Sequence, residues 1–218
     1  MLQSTLLAGV PHGFTGVAEG DLTREAVGGP ARHELAARLG GRGDLVTAIQ
    51  VHGARVVDEH AGDVEADAIV STSPDRVVAV RVADCVPILY TAPGGVAAVH
   101  AGWRGTAAGI TLQALRALCE RVGVEPAQVR AAIGPCICGS CYEVGPEVLA
   151  GVGAVAVGDR WRVGVRNVDL AEANASVLRA AGVQVDVLGA CTRCGTGFWS
   201  HRRDGAAAGR QVGAIRCS

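Results

Sequence analysis

The sequence predicts an α+β protein in which short apolar strands alternate with a few helices. Apolar runs of strand length recur along the chain, for example at Val77–Val82, and three longer segments repeat apolar residues at helical spacing. Apolar residues make up 49% of the chain and charged residues 19%, which is rich enough to build a sizeable core. No linker, charge block or repeat divides the 218 residues, so a single domain over 1–218 is expected.

The clearest helices are predicted over 32–39, 106–122 and 169–181. The third has an aspartate at its cap position, Asp169, and ends before a glycine, two features that commonly mark helix ends. After it, the run 183–188 alternates valine with other residues, as a half-buried strand does. These patterns do not choose between a stack of two sheets and an ordinary three-layer fold.

Potential metal ligands follow three apolar runs that are predicted to be strands. His52 follows the run 45–49, and Cys85 and His100 follow two further runs, so three strand ends could converge on one point. Two imidazoles and one thiolate suit zinc, and a catalytic zinc usually keeps three protein ligands and one open position. The spacing contains no short Cys-x-x-Cys or His-x-x-x-His pair among them, so the fold would have to supply the geometry.

A series of motifs resembles, in order and without rearrangement, those of the bacterial laccase-domain proteins. The motifs are Gln50-Val51-His52-Gly53, Ala66-Asp67-Ala68, Ala83-Asp84-Cys85-Val86-Pro87-Ile88-Leu89, His100-Ala101-Gly102-Trp103-Arg104-Gly105, Ile133-Gly134-Pro135 with Cys141-Tyr142-Glu143-Val144, and Arg202-Arg203-Asp204-Gly205. Members of this family are labelled multicopper polyphenol oxidases, purine nucleoside phosphorylases or peptidoglycan editing factors. The resemblance extends from about Pro11 to about Ile215.

This resemblance implies a fold, a cofactor and a function. The implied fold has mixed β-sheets packed face to face with helices outside, a four-layer α/β/β/α sandwich. The implied cofactor is one zinc ion bound by His52, Cys85 and His100. The implied reactions are phosphorolysis of purine nucleosides such as adenosine, inosine and methylthioadenosine, and deamination of adenosine. Copper is the less favoured metal, because one His-Cys-His set offers too few ligands for a multicopper oxidase.

Under this interpretation, Asp84, Cys85 and Arg104 are the candidate catalytic residues. Asp84 is the carboxylate nearest to Cys85 in sequence and could orient a ligand or shuttle a proton, although strand alternation would point it to the opposite face. Arg104 lies near the start of the helix predicted over 106–122, where a guanidinium and free backbone N–H groups could bind phosphate. A structural salt bridge is the alternative interpretation of Arg104.

Gln50, Arg104 and Arg203 are the candidate substrate-binding residues. Gln50 could hold the edge of the base or bond to a metal ligand, and Arg203 could form an internal ion pair with Asp204 that braces the pocket wall. Two other histidines are not predicted to bind the metal. His12 is predicted to be a turn residue, and His201 is predicted to line the pocket or pack against it.

The eight cysteines leave two alternatives open. Disulfides are not expected in a reducing compartment. Cys136, Cys138 and Cys141 cluster in sequence, and Cys191 with Cys194 forms a Cys-x-x-Cys pair. These residues could form a second, Cys-rich zinc site, or they could pack as small apolar side chains.

Composition also bears on partners and location. The net charge is −1 and all 20 basic residues are arginine, so no nucleic-acid surface is indicated and phosphate would have to be met by arginine. The longest apolar runs fall short of the roughly 20 residues that a membrane span needs, and the first residues make a poor signal peptide. A cytoplasmic protein with a purine nucleoside and phosphate as its partners is therefore expected, and its oligomeric state stays open.

One departure from the family pattern and two alternative functions complete the prediction. Relatives usually carry an arginine shortly after the equivalent of Gly13-Phe14-Thr15, and here the following residues, up to Asp21, contain none. The phosphate and nucleoside contacts are therefore less secure than the zinc ligands.

The first alternative function is a cysteine hydrolase with Cys85 as nucleophile and His100 as base, including a form that edits peptidoglycan precursors. The second is a partner role without enzymatic activity.

Overall fold

The computed structural model describes residues 1–22, 29–60 and 64–218. The strands, in chain order, are β1 (His12–Phe14), β2 (Val56–Asp58), β3 (Ala68–Ser71), β4 (Val77–Val82), β5 (Val86–Ala92), β6 (Gly95–Ala101), β7 (Arg130–Ile133), β8 (Arg162–Val163), β9 (Asn167–Val168), β10 (Gln184–Val187) and β11 (Gln211–Arg216). The helices are α1 (Pro30–Arg38), α2 (Trp103–Ala107), α3 (Ile110–Val122), α4 (Pro146–Gly153), α5 (Leu170–Ala180) and α6 (His201–Asp204).

Two sheets lie at the centre of the fold. The larger has the strand order β10-β7-β5-β6-β3-β2 and mixes parallel with antiparallel neighbours, and the smaller has the antiparallel order β1-β11-β4. The remaining strands, β8 and β9, form a separate short hairpin.

The alternation of side chains along each strand defines four layers. In β4, Val78 and Val80 pack into the core between the two sheets, whereas Val77 and Ala79 pack against α1 on the outer face of the smaller sheet. In β5, Leu89 enters the same inter-sheet core, while its neighbours pack against the helices that cover the larger sheet. The architecture is therefore the four-layer α/β/β/α sandwich that the resemblance implied.

Two of the three predicted helices are confirmed with small changes at their ends. α1 begins at Pro30, because proline fits the first helical position, where no backbone N–H is needed. α5 follows the predicted cap, and the Asp169 side chain accepts a hydrogen bond from the N–H of Glu172 at 2.9 Å. The strand predicted over 183–188 is confirmed as β10.

The single helix predicted over 106–122 is wrong, because the structure has two helices there. α2 begins three residues earlier, at Trp103, and α3 begins at Ile110. Gly109 separates them with a φ of +80°, in the left-handed region that glycine adopts without steric cost. The break turns the chain immediately after the His100-to-Gly105 motif.

Two other predictions are corrected. The run 45–49 forms no strand and makes isolated bridges only, since side chains of Arg32 and Arg81 bind its carbonyl oxygens at Leu45 and Ala48. His12 is a buried strand residue rather than a turn residue: its Nε2 accepts the N–H of Ser4 at 2.9 Å. None of the helices in the described part of the chain combines the length and apolarity needed to cross a bilayer.

Candidate metal centre and adjoining cavity

Three potential metal ligands, His52, Cys85 and His100, come together at one end of the larger sheet. Their ligand atoms all lie within 4.8 Å of one another, and the centroids of the two imidazole rings are 4.8 Å apart. Sheet register brings two of them close, because Pro87 of β5 pairs with His100 of β6 and so places Cys85 beside the end of β6. The fold thus unites the three residues that the sequence singled out.

His52 reaches this cluster from a loop rather than from a strand end. Its φ of +60° lies in the left-handed region, which is sparsely populated except by glycine and, to a smaller extent, by Asn, Asp and His. The carboxylate of Asp67 holds the loop: Oδ1 accepts the N–H of His52 at 3.0 Å, and Oδ2 accepts those of Gly53 at 2.7 Å and Val51 at 3.3 Å. These bonds fix a conformation that the loop alone would rarely adopt.

The same carboxylate also orients His100. Nδ1 of His100 lies 2.7 Å from Oδ1 of Asp67, and both side chains are buried. With its Nδ1–H donated to a carboxylate, the imidazole presents Nε2 as the ligand atom, which is the arrangement most metal-binding histidines show. Asp67 therefore links two of the three ligands, a role that we did not assign to it from the sequence. Its sequence signal was its place in the Ala66-Asp67-Ala68 motif, which gave it no role.

The cluster favours a charged thiol. Burial opposes ionisation of Cys85, but hydrogen bonds to His100 and His52 and their positive charge outweigh it and lower its pKa to about 6. Burial likewise opposes the charged form of His100, but bonds to Asp67 and Cys85 raise its pKa to about 9. Since the thiolate is the form that binds metals and attacks electrophiles, Cys85 is prepared for either chemistry.

Gly102 closes one side of the cluster with its backbone alone. It lies between β6 and α2, and a Cβ atom built on it would stand 2.8 Å from Nδ1 of His52 and 3.2 Å from Sγ of Cys85. No side chain fits at this position without moving a ligand. The glycine of the His100-to-Gly105 motif is therefore required by the geometry of the cluster.

We expect Gly102→Ala to weaken metal binding at this cluster by about 10- to 100-fold, because the new methyl group displaces the exposed His52 ring. Zinc affinity measured by competition with a chromophoric chelator checks this. Gly197→Ala is the matched control, since a Cβ there meets nothing within 4 Å. Equal affinities of the two variants would contradict the close contact around Gly102.

A cavity of about 420 Å³ opens beside the cluster, a volume within the range of small-molecule sites. His52, Cys85 and His100 form part of its wall, and Gln50, Arg81, His201 and Arg210 form much of the rest. His201 lies at the start of α6 and lines this cavity outside the ligand cluster. The three potential metal ligands therefore face a space that two arginines also line.

Gln50 and Arg81 are tied to each other across this cavity wall. The Gln50 side chain donates to the carbonyl of Arg81 and accepts its N–H, both at 2.8 Å. The amide is therefore held in one orientation by the backbone of β4. Gln50, the residue predicted to hold the edge of the base, therefore has its amide in a fixed position at the cavity.

Arg104 lies on the other side of the cluster. It is the second residue of α2, is exposed, and places its Cζ 4.5 Å from the centroid of the Trp103 ring. Together with Tyr142 it lines a smaller cavity of about 80 Å³ that shares His52 and Cys85 with the larger one. The residue predicted to bind phosphate is thus separated from Gln50 by the ligand cluster.

Asp84 lies next to Cys85 but has both carboxylate oxygens occupied. Oδ1 accepts the hydroxyl of Thr192 and Oδ2 accepts the N–H of Arg202, each at 2.6 Å. Its φ of +86° turns the chain sharply just before β5. This geometry makes Asp84 an anchor between the Cys85 turn and the segment 192–202.

Arg203 makes a similar anchor. Its guanidinium pairs with Asp204 through two contacts of 2.8 Å, as predicted, and its remaining donors bind the carbonyls of Thr192, Arg193, Gly195 and Phe198. Every guanidinium nitrogen has a partner within the protein. The contacts support the bracing role that we considered for Arg203 rather than direct contact with substrate.

Two arginines that no sequence motif indicated, Arg81 and Arg210, also line the cavity. Arg210 precedes Gln211, which pairs with Val82, so sheet register brings the two arginines to the same edge. Within the described residues neither forms a salt bridge. Burial and the positive charges of Arg32 and Arg210 lower the pKa of Arg81. The available signal was an arginine that interrupts an otherwise apolar strand.

Comparison with known proteins shows which proteins the chain resembles. The family model described as "Multi-copper polyphenol oxidoreductase laccase" matches residues 15–218. A protein from Deinococcus radiodurans named purine nucleoside phosphorylase is 38% identical over 230 residues, covering 94% of this chain and 88% of its own. An adenosine deaminase from an unknown prokaryotic organism is 37% identical over 210 residues, covering 85% and 80%.

Solved structures with similar sequences share the fold. YlmD from Geobacillus stearothermophilus superposes with a TM-score of 0.79 at 30% identity, over 98% of this chain and 93% of its own. The protein YfiH from Bacillus licheniformis gives a TM-score of 0.81 at 28% identity, over 97% and 90%. The four-layer sandwich is therefore shared with these proteins along nearly the whole chain.

Proposed function

The chain is an enzyme of the multi-copper polyphenol oxidoreductase laccase family, and we propose that it is a zinc-dependent purine nucleoside phosphorylase that also deaminates adenosine. One observation carries the proposal: the His52, Cys85 and His100 cluster opens into a cavity that contains two arginines without a carboxylate partner among the described residues. A metal site beside an anion site is what these two reactions need together.

The residues present fit a zinc ion. Two imidazoles and a thiolate are a zinc donor set, the carboxylate of Asp67 orients one imidazole, and Gly102 leaves the space around the ligand atoms clear. A zinc ion held there would supply Lewis acidity beside the bound substrate. Three protein ligands with an adjoining cavity are typical of a catalytic rather than a structural site.

The family description names copper, but the donor sets of this chain favour zinc. A multicopper oxidase needs a copper cluster with many histidine ligands. In the described part of the chain, the groups able to hold a metal are this three-residue cluster and a set of four cysteines. The single methionine, Met1, packs near Gly13, away from both groups. We therefore assign zinc to the His-Cys-His site.

Phosphorolysis requires a phosphate beside the ribose, and we assign that place to Arg81 and Arg210. A phosphate oxygen bonds to C1′ of the ribose, the C1′–N9 bond breaks, and the purine leaves with a proton. Two guanidinium groups bind such an anion through paired, charge-assisted hydrogen bonds. Burial first, and then the positive charges of Arg32 and Arg210, lower the pKa of Arg81, and a bound anion would offset the charge repulsion.

Deamination uses the same cavity without phosphate. Water adds to C6 of adenosine and ammonia leaves, so the reaction needs the purine ring beside the metal cluster and no anion. The amide of Gln50 is fixed by its two bonds to the Arg81 backbone, and its second N–H and second oxygen lone pair are left for the edge of the base. Asp84 contributes by holding the turn that carries Cys85.

A cysteine hydrolase is the second candidate, and one observation favours it. The carboxylate of Asp67 bonds to the imidazole of His100, which lies beside the thiol of Cys85, and this order of groups is that of a cysteine nucleophile with its base. A nucleophile needs only one imidazole, however, whereas here two converge on the thiol. We therefore rank this function below the metalloenzyme.

Elemental analysis combined with turnover separates the two candidates. Purified protein is assayed with adenosine in phosphate buffer, and inosine, adenine and ribose 1-phosphate are measured separately before and after chelation. We expect bound zinc and products that disappear on chelation and return with added zinc. Turnover that survives chelation and is abolished by thiol alkylation would instead establish the cysteine hydrolase.

Measuring both reactions in one variant shows whether phosphate binds at Arg81 and Arg210 or at Arg104. We expect Arg81→Gln to lower kcat/KM for phosphorolysis about 100-fold, the loss of about 2.7 kcal/mol of charged hydrogen bonding. Deamination in phosphate-free buffer should change by less than about 3-fold, since it uses no anion. Arg104→Gln is the control, and selective loss of phosphorolysis in that variant would move the phosphate to the smaller cavity.

A further inference from the structure

A second cluster of potential ligands lies outside the cavity just described. It consists of Cys138, Cys141, Cys191 and Cys194, whose sulfur atoms all lie within 4.8 Å of one another. They come from two Cys-x-x-Cys pairs separated by about 50 residues of chain, and all four are free thiols. Neither pair contributes to the proposed nucleoside reactions.

The larger sheet brings the two pairs together. β7 and β10 are parallel neighbours, so the segments that leave their carboxyl ends run side by side, and Cys136 forms a parallel bridge with Cys191. Each segment then makes a tight turn, closed by a bond from the N–H of Cys141 to the carbonyl of Cys138 and from that of Gly195 to Cys191, both at 3.0 Å. Two tight turns thus face each other.

One further contact stabilises negative charge on the sulfur atom of Cys191. The backbone N–H of Cys138 donates to Sγ of Cys191 at 3.3 Å. Such N–H donation stabilises negative charge on sulfur and is expected where a thiolate binds a metal. Cys136, by contrast, is buried and stands outside the group, and burial raises the pKa of its thiol.

We propose that Cys138, Cys141, Cys191 and Cys194 bind a structural zinc ion, distinct from the ion of the His-Cys-His site. Four thiolates close the tetrahedral coordination of zinc and leave no position for substrate, which is the mark of a structural site. Four thiolates this close would repel one another without a cation. The paired Cys-x-x-Cys spacing is that of known tetrathiolate zinc sites.

The proposed ion would brace the wall of the active-site cavities. Thr192 follows one ligand and bonds to Asp84, next to Cys85, and Arg203 binds the carbonyls of Thr192, Arg193 and Gly195. Tyr142 follows another ligand and lines the smaller cavity, with Cζ of Arg202 lying 5.2 Å from its ring centroid. Through these contacts the four cysteines are coupled to the position of Cys85.

Zinc stoichiometry in the whole protein tests this inference. Purified wild-type protein, prepared under reducing conditions, should carry two zinc ions per chain by elemental analysis and native mass spectrometry. Cys194→Ser, which alters the exposed member of the cluster, and His52→Asn should each lower the content to one. The combined variant should carry none. Cys119→Ser, a free cysteine on α3, is the control and should keep two.

Cobalt substitution identifies the ligands of the remaining ion. Cobalt-loaded His52→Asn protein should show the intense sulfur-to-cobalt charge-transfer absorption of several thiolates, and Cys194→Ser protein should show the weaker absorption of a site with one. A wild-type content of one zinc that Cys194→Ser leaves unchanged would overturn the inference. So would a denatured mass short by two hydrogens per cysteine pair, because the cluster would then hold disulfides.

Discussion

Replacing His52 with asparagine is expected to abolish both phosphorolysis and deamination while leaving the fold intact. His52 is exposed and makes up one of three ligands, so its loss should empty the catalytic site without opening a cavity in the core. Asparagine is chosen because it tolerates the left-handed φ of +60° better than alanine. With the Lewis acid gone, we expect kcat/KM for both reactions to fall by about 10³-fold or more.

Zinc analysis and the two product assays check this result, and His201→Asn is the control. His201 lines the same cavity but lies outside the ligand cluster, so its variant should retain its zinc. Circular dichroism and thermal unfolding should show that the His52 variant remains folded. If that variant lost its zinc and kept full turnover, the metal would have no catalytic role and the cysteine mechanism would take precedence.

Replacing Asp67 with asparagine should weaken both the metal site and the fold. The buried carboxylate accepts three backbone N–H bonds and orients His100, and an amide presents its NH₂ group to at least one of these donors. We expect zinc affinity to fall by about 10- to 100-fold and the free energy of unfolding of the metal-free protein to fall by about 2–4 kcal/mol. Chelator competition and urea unfolding measure the two effects.

The stability effect should depend on pH with a defined sign. Burial of Asp67 is outweighed by its bonds to His100 and Gly53, which lower its pKa below the usual 3.8, so its contribution is lost only when pH falls below about 4. The pKa of His100 rises from 6.5 to about 9, so its contribution is complete below 6.5 and is lost as pH rises through 9. In metal-free protein, the free energy of unfolding of the Asp67→Asn variant should therefore differ most from that of the wild type between about pH 4 and 6.5.

Asp75→Asn is the control for the stability measurement. Asp75 pairs with Arg42 at 3.3 Å, but both side chains are largely exposed, so its replacement should change the free energy of unfolding by less than about 0.5 kcal/mol. Equal stability losses in the two variants would show that the buried bonds of Asp67 contribute no more than a solvent-exposed ion pair.

Local patterns predicted most of the elements because their causes are local. The cap at Asp169 begins α5, and alternating apolar residues in β4 serve two different cores on its two faces. The errors also have local causes that spacing does not reveal. Gly109 was read as part of one helix, and side-chain bonds to the carbonyls of 45–49 replaced the strand expected there.

The candidate site was likewise predicted only in part from the sequence. The motifs contain His52, Cys85 and His100, and their resemblance to one family was enough to group them. The roles of the residues that hold these three in place could not be predicted, because Asp67 acts through hydrogen bonds to residues 14 to 33 positions away. Asp84 bonds to residues more than 100 positions away, whereas the contacts of Arg203 lie within 11 positions of it but depend on the way the segment 192–204 folds back on itself.

The sequence by itself determined which chemistry is available: the donor set, the presence of arginine without lysine, and strands whose alternation builds a layered core. Tertiary structure decided which of these groups meet. The pairing of β5 with β6 places Cys85 beside His100, and the pairing of β4 with β11 brings Arg81 and Arg210 to one cavity. Strand register joins residues far apart in the chain, and no local pattern of side chains encodes that distance.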